Sequence, residues 1–395
     1  MDKNILLCVS GGIAAYKAID LASRLTKGGC RVKTILTDSA TQFVSPLNFS
    51  TITHNSVHSS LFTDTDPIPH ITLADWADKI VVAPATANIM AKAAHGIGDD
   101  LLSTTLLAAH SPVLFVPAMN VNMYRNAATQ ANMDILRQRG HHILEPSTGL
   151  LACGYEGQGK YPPNEEIIYA LRCYLEYRAD LAGKKVLVTA GATAEPIDPM
   201  RMISNRSSGK MGLAIARAFA LRGADVTLIH GMLSETVPYY LRKAVYTPTV
   251  QEMYEQVLAE AAGMDLIVKC AAVSDYKPAS ASSSKIKKGK ALSLDLVTTP
   301  DILAQLGKLK PKGQLLVGFA AETENLIENA RSKLVRKNLD LICVNHLSTA
   351  GADSTELTLV TPSKAAHPRY RRLSGDKFDV ALQLAERINK LWNAN

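Results

Sequence analysis

The stretch Asn4-Ile-Leu-Leu-Cys-Val-Ser-Gly-Gly-Ile-Ala-Ala15 decides the fold. Residues 4–9 show no polar alternation, so a strand built from them is buried on both faces. Gly11 and Gly12 punctuate the run, and residues 14–25 read as a helix ending near Gly28-Gly29. The pattern then repeats, with strands expected at 32–36, 79–83, 113–116 and 142–144 and helix-length segments between them. Apolar strands alternating with helices predict an α/β fold with a parallel sheet covered on both sides. After an expected helix at 165–177, Leu181-Ala-Gly-Lys-Lys185 interrupts the chain, and Val186-Leu-Val-Thr189 starts the strand–turn–helix scheme again. The boundary is therefore placed near residue 180, giving domains 1–180 and 181–395. The second half reads as helix 211–221, strand 225–229, helix 251–262 and strand 265–270. Strands at 315–319, 341–344 and 357–360 follow, and an amphipathic helix at 376–392 closes the chain.

Composition agrees with two globular α/β domains. The chain has 395 residues, 47% hydrophobic and 20% charged, with few aromatics. Such cores are aliphatic and suit helices packed closely on a sheet. The net charge of +7 fits an enzyme of anionic substrates or a nucleic-acid binder, and decides nothing alone. No stretch reaches the roughly 18 apolar residues of a membrane span. The six cysteines form no C-x-x-C pair, and the N-terminus reads as no secretory signal, so free thiols in a reducing cytoplasm are expected.

In open parallel sheets ligands bind beyond the carboxyl ends of the strands. Ser10-Gly-Gly-Ile13 follows the first strand and opens a helix; it is either a tight turn or a phosphate cradle. Thr37-Asp-Ser39 and Thr86-Ala-Asn88 follow the next strand ends. Their hydroxyls suit a mononucleotide, although Ser39 or Thr86 could each cap a helix instead. Pro117-Ala-Met-Asn-Val-Asn-Met123 places Asn120 where an amide can clamp a carboxylate or form a turn. His70 precedes an apolar helix start and is structural or catalytic. Cys153 sits in Gly149-Leu-Leu-Ala-Cys-Gly-Tyr-Glu-Gly-Gln-Gly159, which reads as a flexible flap, and a thiol on a mobile loop suits proton transfer better than one in an apolar run such as Cys8, Cys270 or Cys343.

These segments, in order over about the first 175 residues, resemble the flavin-dependent cysteine decarboxylases. The resemblance implies a flavodoxin-like domain that binds FMN through Ser10, Gly11, Gly12, Ile13, Thr37, Ser39, Thr86, Ala87 and Asn88. It further implies that His70 is the catalytic histidine, that Asn120 and Met123 contact substrate, and that Cys153 is the final proton donor. The chemistry explains the cofactor: a cysteinyl carboxylate has no electron sink until its thiol is oxidised to a thioaldehyde, after which carbon dioxide can leave. Family flavin sites lie between subunits of trimers, so a homo-oligomer is expected.

The second half carries Gly191-Ala-Thr-Ala-Glu-Pro-Ile-Asp-Pro-Met-Arg201 and then Ile203-Ser-Asn-Arg-Ser-Ser-Gly-Lys-Met-Gly212. The latter fails as a P-loop, because Ser204 stands at the first glycine and Met211 at the magnesium-holding hydroxyl. Its amides can still hold phosphate. Lys285-Ile-Lys-Lys-Gly-Lys290 follows a Ser-rich loop. No aromatic platform interleaves these lysines, which argues against nucleic acid. With the runs at 270–277, 298–302, 318–323 and 331–345, this half resembles phosphopantothenate–cysteine ligase. The resemblance implies a CTP site at Lys269, Cys270, Ala271, Asp275, Lys285, Pro300, Asp301, Ile302, Leu303, Phe319, Lys333 and Lys337. It also implies that Asn205, with Arg201 nearby, contacts 4′-phosphopantothenate or its acyl-cytidylate. Lysine 269 stands where that family usually has a small residue. Mg2+ would be carried mainly by the CTP phosphates.

The whole is therefore expected to be two Rossmann-like parallel-sheet domains in one enzyme of coenzyme A synthesis. The ligase half would join L-cysteine to 4′-phosphopantothenate, and the flavin half would decarboxylate the product to 4′-phosphopantetheine. Family resemblance implies a trimer-based decarboxylase core, a dimeric ligase and a dodecamer. Two other readings are an active ligase beside a decarboxylase of altered substrate, and a non-catalytic flavin-binding regulatory half.

Overall fold

A computed structural model describes all residues except 1, 65, 178, 290–291, 323–325, 347–350, 363–369 and 394–395, and only the backbone of 321, 322 and 346. The chain divides into two compact units, Met1–Glu176 and Tyr177–Asn395.

In the first unit six strands pair in the order Val57–His58, Arg31–Leu36, Asn4–Val9, Lys79–Ala85, Val113–Pro117, His142–Ile143. All pairings are parallel; Ile5 lies beside Val32 on one side and Lys79 on the other. The sequence dictates this burial. Leu6 and Cys8 join Val82 and Phe115 in one cluster, sealed by Ile89, Met90, Leu102, Leu106, Met133 and Leu136 from three helices. Ile5, Leu7 and Val9, which alternate with them, are equally inaccessible. The helix Ala15–Lys27 covers its share with Ala18, Leu21, Ala22 and Leu25. The first strand sits between the second and the fourth, so the strand order reverses there. A crevice opens at such a reversal, beyond the strand ends.

The second unit repeats the same order. Lys243–Tyr246, Asp225–His230, Lys185–Ala190, Leu266–Lys269, Leu315–Glu322 and Leu341–His346 run parallel. Two further strands, Ser354–Val360 and Arg371–Asp376, extend the sheet antiparallel. The expected all-parallel sheet is thus a parallel core with an antiparallel edge. Arg371–Asp376 escapes a sequence reading because Leu373 alone of its six residues is buried, as suits an edge strand. The lysine-rich segment lies between the arms of a small ribbon, Tyr276–Pro278 paired with Leu296–Thr298.

The last helix, Lys377–Trp392, packs against helix Lys210–Leu221. Arg222, just past the latter helix, is almost fully buried. Its guanidinium donates to Asp180 at 2.8 Å and to the Leu382 carbonyl, and it lies over the Tyr177 ring. A buried charge is tolerated when paired in this way. Among the described residues no helix is long and apolar enough to cross a membrane.

Candidate active sites

Two cavities meet at the strand reversal of the first unit. The smaller, about 440 Å³, is lined by Ser10, Gly11, Thr37, Ser39, Thr86, Ala87 and Asn88, with Lys92 and Asp100 beyond. The larger, about 770 Å³, takes Gly11, Gly12, Ile13, Thr86 and Ala87 and adds Ala118, Asn120, Met123, Leu150, Leu151, Cys153 and Tyr161. All nine residues expected at a flavin therefore line one cavity or the other. The Ser10 hydroxyl donates to the Pro84 carbonyl at 2.8 Å and accepts the Thr86 N–H at 3.0 Å, tying the first and fourth strand ends together. A Cβ on Gly11 would stand 2.3 Å from Ser39 Cβ, so the cradle closes only around glycine. Thr86 caps the helix Ala87–His95. The capping considered for Ser39 falls instead to Thr37, which accepts from the Ala40 N–H. A hydroxyl-lined chamber continuous with an apolar one fits a molecule with a phosphate tail and a flat ring system.

Cys153 lies at the tip of an antiparallel hairpin, Ser147–Leu150 with Glu156–Lys160. Asn120 caps the short helix Val121–Arg125, its Oδ1 accepting the Asn122 N–H at 2.8 Å. That bond fixes the amide orientation and turns Nδ2 outward, where it donates to Cys153 Sγ at 3.1 Å. The Tyr155 backbone N–H and then the Asn120 amide hold the exposed thiol below its ordinary pKa. The hairpin docks through glycine: Met119 N–H donates to the Gly159 carbonyl at 3.0 Å, and a Cβ on Gly159 would meet Met119 O at 2.3 Å. Gly159→Ala is expected to lift the hairpin and lower carbon dioxide release tenfold or more, on the order of the cost of misplacing a reacting group. Ligation by the same chain, measured in parallel, should be unchanged.

His70 stands apart. It lies in helix Pro69–Trp76, lines neither cavity, and its Nδ1 is buried without a hydrogen-bond partner. One chain brings together Asn120, Met123 and Cys153 but not His70.

The second unit holds a cavity of about 550 Å³ at its own strand reversal. Of the residues expected there, Asn205, Lys269, Cys270, Ala271, Asp275, Phe319 and Lys333 line it. Asn205 Nδ2 donates to the Val273 carbonyl at 3.0 Å. Lys269, at the end of its strand, points into the cavity rather than away. Its ammonium donates to the Ala271 carbonyl at 3.0 Å, and burial lowers its pKa to about 8. Burial pushes the Cys270 thiol up to about 12, so it stays protonated.

The other expected residues do not line this cavity, each for a physical reason. Ile302 and Leu303 are core residues, packed in the cluster that contains Leu306 and Val344. Asp301 caps their helix by accepting the Ala304 N–H and pairs with Lys337 at 2.7 Å. Lys337, one residue past helix Leu326–Arg336, still donates its N–H to the Lys333 carbonyl at 2.9 Å, but its ammonium is taken by Asp301. Pro300 sits beside this cap. Arg201 is exposed, but its guanidinium is held on Asp198 and on the Ile286 carbonyl at 2.6 Å. Asp198 also accepts the Met200, Arg201 and Ile286 N–H groups, which with Arg201 depress its carboxyl to about 2 against the opposing effect of burial. Lys285 is exposed, adjoining this anchor.

Two cavity lysines were not expected, Lys210 and Lys377. The pattern that shows Lys377 is local: a lysine at the first position of an amphipathic helix, an end that favours anions. Among the described residues no group of three or more His, Cys, Asp or Glu could hold a metal ion.

Residues 1–174 match the flavoprotein family model, and residues 181–391 match that of the DNA/pantothenate metabolism flavoprotein C-terminal domain. The chain is 45% identical over 397 residues to the coenzyme A biosynthesis bifunctional protein CoaBC of Bacillus subtilis, with 99% of this chain and 97% of that protein covered. It is 44% identical over 395 residues to the protein of the same name from Haemophilus influenzae, with 98% and 97% covered. A solved C-terminal domain of a CoaBC protein aligns with a TM-score of 0.47 and 34% identity, over 55% of this chain and all of that one. Likeness at this identity runs through both units, and so the chain belongs to the family of bifunctional coenzyme A biosynthesis proteins, CoaBC.

Proposed function

We propose that the second unit ligates L-cysteine to 4′-phosphopantothenate with CTP, and that the first unit decarboxylates the product to 4′-phosphopantetheine with FMN bound. Coenzyme A biosynthesis by a ligase and a decarboxylase on one chain follows from the family. The observation that carries the finer reading is the Asn120 Nδ2–Cys153 Sγ contact of 3.1 Å at the larger cavity. It supports a reading in which Asn120 clamps the carboxylate and Cys153, beside it, donates the proton. A regulatory flavin-binding half would leave that pair without a task.

In the first unit Ser10, Thr86 and the Gly11 cradle shape the flavin chamber, and Ile13, Leu150 and Leu151 give it apolar walls. When bound, the flavin would take two electrons from the substrate so that the carboxyl group can leave, and would return them afterwards, leaving no net redox change. Asn120 Nδ2 then binds the carboxylate until carbon dioxide leaves. Cys153 gives its thiol proton to the carbon so exposed, and a thiol held below its usual pKa is better matched to neutral pH. His70 reaches the site from a neighbouring copy, which makes the functional unit a homo-oligomer.

In the second unit a carboxylate oxygen of 4′-phosphopantothenate attacks the α-phosphorus of CTP. The bond to pyrophosphate breaks, and pyrophosphate leaves. The cysteine amine then attacks the acyl carbon, loses a proton and expels CMP. The cavity lysines stabilise phosphoryl charge, and Mg2+ enters on the triphosphate. Lys285 closes from its exposed loop, which the Asp198–Arg201 anchor fixes at Ile286. The six free cysteines suit a reducing cytoplasm.

The test is incubation of the full chain with 4′-phosphopantothenate, L-cysteine, CTP and Mg2+, followed by mass analysis. 4′-Phosphopantetheine, CMP and pyrophosphate are expected, from a protein with an oxidised-flavin spectrum. Accumulation of the undecarboxylated conjugate by flavin-loaded protein would overturn the first-unit reading, and absence of CTP-dependent pyrophosphate release the second.

A further inference from the structure

Lys377 opens helix Lys377–Trp392, yet it is only 8% exposed and lines the second cavity. Both placements are costly. The first turn of a helix carries the positive end of its dipole, and burial strips water from an ammonium. No hydrogen bond or ion pair of its ammonium exists among the described residues; its backbone N–H donates to the Asp353 carbonyl at 3.0 Å. Burial, and then the ammonium of Lys210, hold its pKa below the ordinary lysine value.

Lys210 has the matching position in its own helix, Lys210–Leu221. That helix packs against Lys377–Trp392, and both lysines line the same cavity. Asp353, largely exposed, meets Lys210 at 2.5 Å. Two helix starts, each opening with lysine, therefore face one space that Lys269 and Lys333 also enter. Asp275 is the sole carboxylate in its lining among the described residues. Four ammonium groups exceed what one phosphomonoester neutralises, and match a polyphosphate better.

We infer that Lys377, with Lys210, holds the pyrophosphate portion of CTP and retains it as the leaving group. The inference rests on the nucleotide reading above and deepens it. Charge on the departing pyrophosphate grows as its bond to the α-phosphorus breaks, so groups at this end favour the transition state. The helix packing sets both ammonium groups in place before substrate arrives.

The experiment uses full-length Lys377→Met and Lys377→Arg, with Lys210→Met as a second variant. Inorganic pyrophosphate is the probe, as a product inhibitor of ligation. Lys377→Met is expected to raise KM for CTP and the inhibition constant of pyrophosphate about tenfold or more, the scale of one buried charge-assisted hydrogen bond. KM for cysteine and for 4′-phosphopantothenate should stay put, and Lys377→Arg should restore most of the loss. Lys210→Met should repeat the pattern if Lys377→Met does not accumulate. The far-ultraviolet circular dichroism spectrum, with an unchanged KM for cysteine, reports an intact ligase unit in every sample. An unchanged pyrophosphate constant overturns the inference. So does a rise confined to KM for 4′-phosphopantothenate, which would assign the lysines to the 4′-phosphate. A parent chain that releases no pyrophosphate from CTP overturns the nucleotide reading itself.

Discussion

Co-assembled His70→Asn and Cys153→Ala chains are expected to release carbon dioxide that neither variant releases alone. His70 lines neither first-unit cavity in its own chain, while Asn120 and Cys153 touch each other at the larger one. The surface near His70 in sequence is apolar: Phe62 is 87% exposed, and Ile68 and Ile71 are accessible as well. Exposed apolar side chains that form one patch mark a surface that another chain covers, and these three, close in sequence to His70, are candidates for it. A histidine supplied by one copy to the next satisfies both observations. Each pure variant should lose about 10²- to 10⁴-fold in decarboxylation, the usual contribution of a positioned acid or base. In randomly mixed cyclic oligomers about a quarter of sites draw an intact His70 from one chain and an intact Cys153 from the next, so about a quarter of the parent rate should return. Ligation should be equal in all samples. A mixture no more active than its parents would refute a shared site, and loss of ligation with His70→Asn would contradict independent units.

The sequence made the scaffold legible wherever burial is two-sided. The runs at Asn4–Val9 and Lys185–Ala190 have no polar face, and that alone demands cover on both sides of a parallel sheet. Residues 10–13, 37–39 and 86–88 were legible as candidates for a cavity wall because each group directly follows a strand end, where the sheet geometry puts ligands. What escaped depends on contacts that no single motif displays, some of them between residues far apart in sequence. The glycines around Cys153 announce a loop, but its hairpin is held by Gly159 against Met119. Arg201 resembles a substrate contact in its motif, yet Asp198, three residues earlier, claims its guanidinium. Ile302 and Leu303 sit next to a plausible cap and are drawn into the core by their own apolar character. Lys377 is marked in the sequence only as the first residue of an amphipathic helix, and the packing of that helix against Lys210–Leu221 brings it to the second cavity.

Lys269 supplies a pH test of that cavity. Its ammonium is drawn down to about 8 by burial first, with Cys270, Asp301 and Asp275 opposing the shift and Lys337 adding to it. The charged form is the one that attracts phosphate. Phosphate groups complete their ionisation near pH 6, about two units lower, so the nucleotide does not change charge across the lysine's transition. The ammonium is therefore present below about pH 8 and lost above it, and kcat/KM for CTP, which reports the free enzyme, should fall as pH rises through that value. Lys269→Met should lose roughly 10²-fold in kcat/KM for CTP at neutral pH, on the scale of one electrostatic contact to a transferring phosphoryl group. Lys269→Arg keeps its charge at every accessible pH and should show no such fall. Lys377 is also lowered and lines the same space, but its proton is unaffected by exchanging Lys269 for arginine. A fall near pH 8 that persists in Lys269→Arg would therefore move the titrating group to another residue. A Lys269→Met chain with normal CTP kinetics would remove Lys269 from the nucleotide site altogether.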